Sequence, residues 1–152
     1  MPEPPMHLDS EEYEAIQNAI TATQGLGTQV RELFHSKSDD TVYDIAWEVE
    51  AAVEALNVFA SRWSVEILAT LYIAGNRRFN ELRRLLVGIS SRTLSDKLTT
   101  LKEAGFVDRV VQDGPPVMVT YCLTPHGNRA GRLLSPLVAY MKLSHGSVIE
   151  NE

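Results

Sequence analysis

The sequence has few of the features that mark secreted or membrane-spanning proteins. No apolar run in its 152 residues approaches the ~18 residues needed to cross a bilayer. The N-terminus is acidic and proline-rich, without a basic start or an apolar stretch, so we expect neither a signal peptide nor a transit peptide. The single cysteine, Cys122, cannot form an intramolecular disulfide, and we therefore expect a cytoplasmic protein.

Residues suited to catalysis or metal binding are also sparse. The four histidines are scattered, and none has metal-ligand spacing with a cysteine or a carboxylate cluster. No nucleophile elbow, Walker loop or dinucleotide fingerprint occurs. We therefore expect no enzyme activity, no metal and no cofactor. Cys122 alternates with Tyr121 and Leu123 in a predicted strand, so we expect it to face away from the core. A structural or merely tolerated cysteine is favoured over a redox switch, because no cation close in sequence would lower the pKa of its thiol.

Charge is distributed unevenly along the chain, whose net charge is −6. Residues 1–61 carry 12 acidic and 2 basic side chains, whereas residues 62–109 carry 9 basic and 5 acidic ones. Residues 110–152 hold 3 of each. The basic middle segment suggests an anionic partner. Its excess of +4 is modest, however, and charge alone fits a merely solvated surface equally well.

Apolar residues recur at helical spacing in the first half of the chain. A stripe from Tyr13 to Leu33 steps by three and four residues and predicts a helix, which Gly25 and Gly27 weaken near its middle. A second stripe, 42–59, predicts another amphipathic helix with Asp40 placed to cap it.

A third predicted helix leads into a helix-turn-helix pattern. It is capped by Ser61 or Ser64, ends at Gly75 and carries Trp63, which together with Phe79 we expect to anchor the core.

The segment 79–104 has the pattern of two helices joined by a short turn. FNELRRLL (79–86) predicts two helical turns, and VGIS supplies a turn in which Gly88 can take a positive φ. Ser90 is a good N-cap for a helix to about Ala104, which Gly105 stops. In a helix-turn-helix motif the second helix touches base edges near its start.

The apolar period then changes to two. Residues 107–112 and 117–123 predict strands joined by DGPP, and a hairpin directly after such a helix is a wing. Thr124 and Pro125 supply an N-cap and a first-turn proline for a last helix, which Pro136 should kink. The fold expected is mainly α with a small β-hairpin wing, an α+β class.

Several ordered blocks resemble those of the HxlR family of winged helix-turn-helix regulators, which is related to MarR-like regulators. They are RFNELRR (78–84), the GIS-x-R-x-L-x-x-x-L-x-x-L helix (88–101), AGFVDR (104–109) and YCLTPHG (121–127). The resemblance covers about residues 45–142. It implies a homodimeric transcription regulator whose N- and C-terminal helices pair two subunits. Recognition helices of about 90–104 would enter successive major grooves of a palindromic operator in double-stranded DNA.

The resemblance also assigns residues to DNA contact. The wing, about 107–123, would lie on the adjacent backbone or minor groove. The groove-facing, phosphate-binding and wing-tip positions are Ser91, Arg92, Thr93, Ser95 and Asp96, then Arg78, Arg83 and Arg84, then Gln112 and Gly114.

Two positions depart from the family pattern. Many members have a Cys-Pro pair where Glu50-Ala51 stands, so thiol-based sensing at that position is not expected. Asp96 stands where a neutral or basic residue is common. It either accepts a hydrogen bond from a cytosine N4 amine or pairs with Arg92 at i, i+4, and the second interpretation is favoured.

The chain divides on this pattern into three segments: an acidic helical extension (1–40), the winged domain with its C-terminal dimerisation helix (41–145) and a tail (146–152). The extension either enlarges the dimer interface, which its apolar stripe favours, or binds a partner protein or covers the basic segment with its acidic face. The alternative to a regulator is a winged-helix protein-interaction module that does not bind DNA specifically. A small-molecule effector of unknown identity is compatible with either.

Overall fold

The protein, described by a computed structural model for residues 2–39 and 42–152, is mainly helical. Its helices are α1 (Ser10–Lys37), α2 (Ile45–Ala55), α3 (Arg62–Ala74), α4 (Phe79–Leu85), α5 (Ser91–Glu103) and α6 (Pro125–Ser144), with a 3-10 turn at Asn57–Phe59. The strands are β1 (Met6–Leu8), β2 (Val107–Gln112), β3 (Met118–Leu123) and β4 (Val148–Glu150). This order confirms the mainly α class with a hairpin wing. No helix in these two ranges is both long and apolar enough to cross a membrane.

The chain forms two compact units whose limits differ from the three segments expected from the sequence. One unit is Glu50–Gly131, and the other combines Met1–Val49 with Arg132–Glu152. We call them the central unit and the terminal unit. Residues 146–152, expected to be a tail, contain β4 and belong to the terminal unit.

The core of the central unit is aliphatic. Buried side chains from α3, α4, α5, β2 and the turn between α4 and α5 meet there: Ile67, Leu71, Leu82, Leu86, Ile89, Leu94, Leu98, Leu101 and Val107. Trp63 and Phe79 are partly buried and pack against this cluster, which confirms them as core anchors. Burying an aliphatic side chain contributes about 1.5–3 kcal/mol, so this cluster is what holds the helix-turn-helix rigid.

The wing is an antiparallel hairpin of β2 and β3. Its register pairs Val107 with Leu123 and Gln112 with Met118. The second strand begins at Met118, one residue later than predicted. Arg77, just before α4, pairs with the second strand of this hairpin. Its backbone N–H donates to the Tyr121 carbonyl at 3.0 Å, and its C=O accepts from Tyr121 N–H at 2.8 Å. This bridge ties the base of the wing to the start of the helix-turn-helix.

The last helix is joined closely to the wing by Thr124. Its hydroxyl accepts a hydrogen bond from Gly127 N–H at 3.0 Å and donates one to the Gly105 carbonyl at 2.6 Å. Thr124 therefore caps α6 as predicted, with Pro125 in the first turn. Pro136, expected to kink the helix, lies inside it, and the helix continues to Ser144.

The terminal unit is built on a long first helix. A capping box starts α1, in which the Asp9 carboxylate accepts from Glu12 N–H and the Glu12 carboxylate accepts from Asp9 N–H. The helix continues through Gly25 and Gly27, the two residues expected to weaken it. Strands β1 and β4 pair in parallel beside it, with Met6 opposite Val148.

The second helix differs from its predicted limits. It spans Ile45–Ala55, so Val42 precedes it and Phe59 lies in the 3-10 turn beyond it. The carboxylate of Asp44 accepts from Trp47 N–H at 2.9 Å and so caps the first turn. Asp40, expected to be the cap, lies outside the described residues.

Candidate DNA-binding site

The helix-turn-helix is set by three local features. Gly88 has φ of 92°, a conformation that a residue with a Cβ rarely adopts. Ser90 then accepts a hydrogen bond at Oγ from Thr93 N–H at 3.1 Å and starts α5. Leu94, Leu98 and Leu101 bury one side of α5, which leaves its opposite side open to solvent.

The exposed side of α5 carries short polar side chains and one arginine. Ser91, Arg92, Ser95 and Asp96 are exposed, as the sequence predicts for a recognition helix. Thr93 differs, because it is half-buried and its Oγ1 accepts a bond from Ser90 Oγ at 2.9 Å. Its hydroxyl therefore helps to close the N-terminal turn.

The ion pair favoured between Arg92 and Asp96 does not form. Among the described residues, the pairs are Arg31–Glu48, Arg62–Glu66 and Arg78–Glu81. An exposed i, i+4 pair contributes only about 0.2–0.5 kcal/mol, too little to oppose the solvation and rotamer freedom of two exposed side chains. Both the guanidinium and the carboxylate therefore stay exposed for other partners.

Helix α4 presents two arginines on the surface. Arg83 and Arg84 are exposed, and together with Asn80 they line an open cleft of ≈ 590 Å³. Sequence reasoning missed Asn80, although its spacing of three and four residues from these arginines places it on their side of the helix. An amide beside two guanidinium groups offers several N–H donors to one phosphate.

Arg78 is placed differently from the other two arginines. It occupies the N-cap position of α4, where its guanidinium lies 3.9 Å from the Glu81 carboxylate and 3.6 Å from the Met118 sulfur. These contacts hold it between the start of α4 and strand β3 of the wing. Its side chain is still more than half exposed.

The wing tip, 112–117, is exposed throughout. It includes Gln112 and Gly114, the two predicted contact residues. All ten predicted contact residues lie in the central unit, and the Arg78–Met118 contact joins the α4 and wing parts of the set.

Cys122 is half-buried in β3. Burial, and then the nearby Asp108 carboxylate, raise the pKa of its thiol, because both disfavour the thiolate. Within residues 2–39 and 42–152, no group of three or more His, Cys, Asp or Glu side chains is arranged to hold a metal ion.

The profile of the family described as HxlR-like helix-turn-helix matches residues 58–148. The chain belongs to this family. The match begins later than the expected residue 45, so α1 and α2 precede it. Members of this HxlR family are transcriptional regulators, and the chain is an HTH-type transcriptional regulator rather than an enzyme.

Individual relatives agree with this assignment. The uncharacterized HTH-type transcriptional regulator YtfH of Escherichia coli (strain K12) is 34% identical over 96 residues, which are 63% of this chain and 75% of YtfH. The reduced form of the transcriptional regulator YodB from B. subtilis has a TM-score of 0.54 at 26% identity, covering 66% of this chain and 93% of YodB. A MarR-family regulator from Enterococcus faecalis V583 has a TM-score of 0.54 at 30% identity, covering 68% and 90%.

Proposed function

We propose that this HxlR-family chain binds double-stranded DNA sequence-specifically, with α5 in the major groove. The observation that carries the proposal is the exposed polar side of α5, opposite a fully buried leucine side. Arg92 on this side forms no ion pair with any residue in the described ranges. A short polar helix side beginning at a capped N-terminus suits contact with base edges. The basic excess of residues 62–109 supplies the attraction to phosphate.

Arg92 and Asp96 would recognise different bases in the DNA. An arginine can bond bidentately to O6 and N7 of guanine, and a carboxylate can accept from the N4 amine of cytosine. Because the two side chains do not pair with each other, each is available for a base. Ser91 and Ser95 complete the face with hydroxyl groups, and the half-buried Thr93 supports it by closing the N-terminal turn of α5.

Phosphate contacts position the helix in the groove. Arg83 and Arg84 with Asn80 would hold one backbone phosphate in the cleft on α4. Arg78 would meet the same strand near the wing, and Gln112 and Gly114 at the wing tip would lie on the adjacent backbone or in the minor groove.

The regulator acts as a homodimer on a palindromic operator. Support comes from apolar side chains that are exposed on the N- and C-terminal helices, such as Leu26 and Val30 on α1 and Leu133, Leu137 and Val138 on α6. Large exposed apolar areas mark interaction surfaces. A twofold dimer places its half-sites about 34–36 Å, or a multiple of this, apart.

The test is fluorescence anisotropy of the full chain on DNA fragments from upstream of its own gene and its neighbours, at several salt concentrations. Saturable binding to one fragment, tighter than to scrambled DNA and falling log-linearly with salt, is the expected result. Arg92→Ala and Arg83→Ala should weaken it. Arg62→Ala is the matched control, because it removes the same charge from α3, where Arg62 pairs with Glu66.

Two results would contradict the proposal. Binding that is weak and equal for all sequences would favour the protein-interaction module. Specific binding that is unchanged in Arg92→Ala and Arg83→Ala would move the DNA contact to another surface.

A further inference from the structure

Helix α1 lies outside the family match, yet its apolar side needs a partner. The helix has 28 residues and is about 42 Å long, and none of its residues is buried. Leu26, Val30 and Leu33 are 61%, 55% and 63% exposed. In proteins, a helix of this kind gains most of its stability by packing its apolar side against another element.

The apolar stripe predicted from the sequence of α1 is exposed over only part of its length. Tyr13, Ile16 and Ile20 are half-buried, and α1 contacts β1 and β4 within the terminal unit. A line that shares Ile16 and the exposed C-terminal members of this stripe runs the length of the helix. We call it the α1 seam, and its members are Glu12, Ile16, Ala19, Thr23, Leu26, Val30, Leu33 and Lys37.

The α1 seam has two regularities. Its steps alternate four, three, four, three, four, three and four, which is the 3.5-residue period of a coiled coil. It is also symmetric on reversal, since each member and its opposite have numbers that sum to 49. Reversal therefore sets Ile16 against Leu33, Ala19 against Val30, and Thr23 against Leu26.

We propose that α1 pairs with α1 of a second copy of this chain as an antiparallel coiled coil along the α1 seam. The inference rests on the homodimer proposed above and names the orientation and register of one part of its interface. A twofold axis passes near Gln24 and Gly25, so each layer occurs twice, as an isologous interface requires. A small side chain meets a larger one in the two central layers.

Charge complementarity favours a second copy in the antiparallel orientation. The charged ends of the seam bring Glu12 of one copy to Lys37 of the other, twice. A parallel pair would instead set Glu12 against Glu12 and Lys37 against Lys37. Glu12 Oε2 already accepts from Asp9 N–H at 3.0 Å, and a carboxylate can accept further bonds at its other oxygen.

The positions that flank the seam carry no charge. In a coiled coil these e and g positions decide which partners are tolerated. Here they are Tyr13, Ala15, Ile20, Ala22, Gly27, Gln29, Phe34 and Ser36. The remaining charged side chains of α1 lie on its outer side, where Arg31 bonds to Glu48 at 2.6 Å.

The one hydroxyl in the central layers has its own partner. Thr23 Oγ1 donates to the Ala19 carbonyl at 2.8 Å. Burying it against Leu26 therefore leaves no unsatisfied donor, which would otherwise cost about 1–3 kcal/mol. Water can therefore be excluded from the centre of the α1 seam.

The experiment is disulfide trapping in the full chain carrying Cys122→Ser. The double variant Ala19→Cys/Val30→Cys should form a reducible covalent dimer on mild oxidation, moving from 16.9 kDa to twice that mass on a non-reducing gel. Each single variant should stay monomeric on that gel. The matched control Gln17→Cys/Glu32→Cys has the same sum of residue numbers but lies on the outer side of α1, and should also fail to cross-link.

Sedimentation equilibrium of the reduced variants separates this inference from the homodimer itself. A reduced chain that sediments as a monomer, with no cross-link in the double variant, overturns both. A reduced dimer without the cross-link overturns the α1 seam alone and points to another occupant, such as α6 of the second copy. Cross-linking of the single variants would show parallel pairing, which also overturns the seam as proposed.

Discussion

Gly127 of α6 lies directly against the backbone carbonyl oxygen of Phe106. A Cβ atom at Gly127 would overlap that oxygen and also contact the Leu123 side chain at 3.3 Å. One turn later, a Cβ at Gly131 would lie 2.5 Å from the ring of Tyr72. Both glycines therefore allow the start of α6 to approach its neighbours in the central unit.

The first prediction concerns this close approach. Gly127→Ala should lower the free energy of unfolding by about 1–3 kcal/mol, because the methyl group overpacks against backbone that cannot rotate away. Gly25→Ala in α1 is the control. It has nothing within 4 Å of its Cβ, so the usual helix gain of about 0.5–1 kcal/mol should appear there. Urea unfolding at one fixed protein concentration measures both, and equal effects at the two sites would contradict the packing argument.

The second prediction concerns the cap of the recognition helix. Ser90→Ala should destabilise the chain by about 1 kcal/mol, since Ser90 Oγ accepts from Thr93 N–H. Ser61→Ala is a matched comparison, because Ser61 occupies the N-cap position of α3 but makes no side-chain cap bond. Thermal unfolding should therefore show a larger loss for Ser90→Ala. A larger loss for Ser61→Ala would contradict this assignment of the cap.

The third prediction distinguishes base contact from phosphate contact at Arg92. If Arg92 reads a base, Arg92→Ala should weaken operator binding by about 1–3 kcal/mol and relax specificity at one position, with little effect on scrambled DNA. Binding measured across salt concentrations and single-base operator variants provides the check. A uniform loss on all DNA, with a salt slope reduced by about one, would instead make Arg92 a phosphate contact.

The fourth prediction concerns the Asp96 carboxylate, which does not pair with Arg92. Asp96→Asn should tighten binding to all DNA by about 1 kcal/mol, roughly fivefold, because it removes a negative charge from the groove-facing side. The gain should shrink as salt rises. Titrations at low and high salt test this. A loss confined to operators with one particular cytosine would show that Asp96 accepts from its N4 amine.

The fifth prediction concerns the thiol of Cys122. Burial and Asp108 raise its pKa, so at neutral pH it holds less thiolate than an unstructured cysteine. Alkylation by iodoacetamide should therefore be slower than for a short cysteine peptide, and should accelerate only at higher pH. Asp108→Asn should lower the pKa and speed the reaction. Alkylation faster than that of the peptide would overturn this account.

The helix-turn-helix could be predicted from the sequence, because its turns and helix caps depend on the residue types at single positions. Gly75, Gly88 and Gly105 all take positive φ, and Ser90 caps α5, as their residue types predict. The hairpin limits were correct to within one residue, because alternation of apolar residues depends only on neighbours along the chain. The exposed side of α5 follows from the helical spacing of Leu94, Leu98 and Leu101.

The tertiary structure was needed for features that depend on residues distant in sequence, and for local interactions too weak to be predicted from spacing. Strands β1 and β4 are three residues each and lie at opposite ends of the chain, so no local pattern marks their pairing. The spacing of Arg92 and Asp96 allows an ion pair, but such a pair is so weak that spacing alone does not determine whether it forms. Periodicity identified α1 as a helix, but only the tertiary structure showed that Tyr13, Ile16 and Ile20 are half-buried while Leu26, Val30 and Leu33 stay exposed.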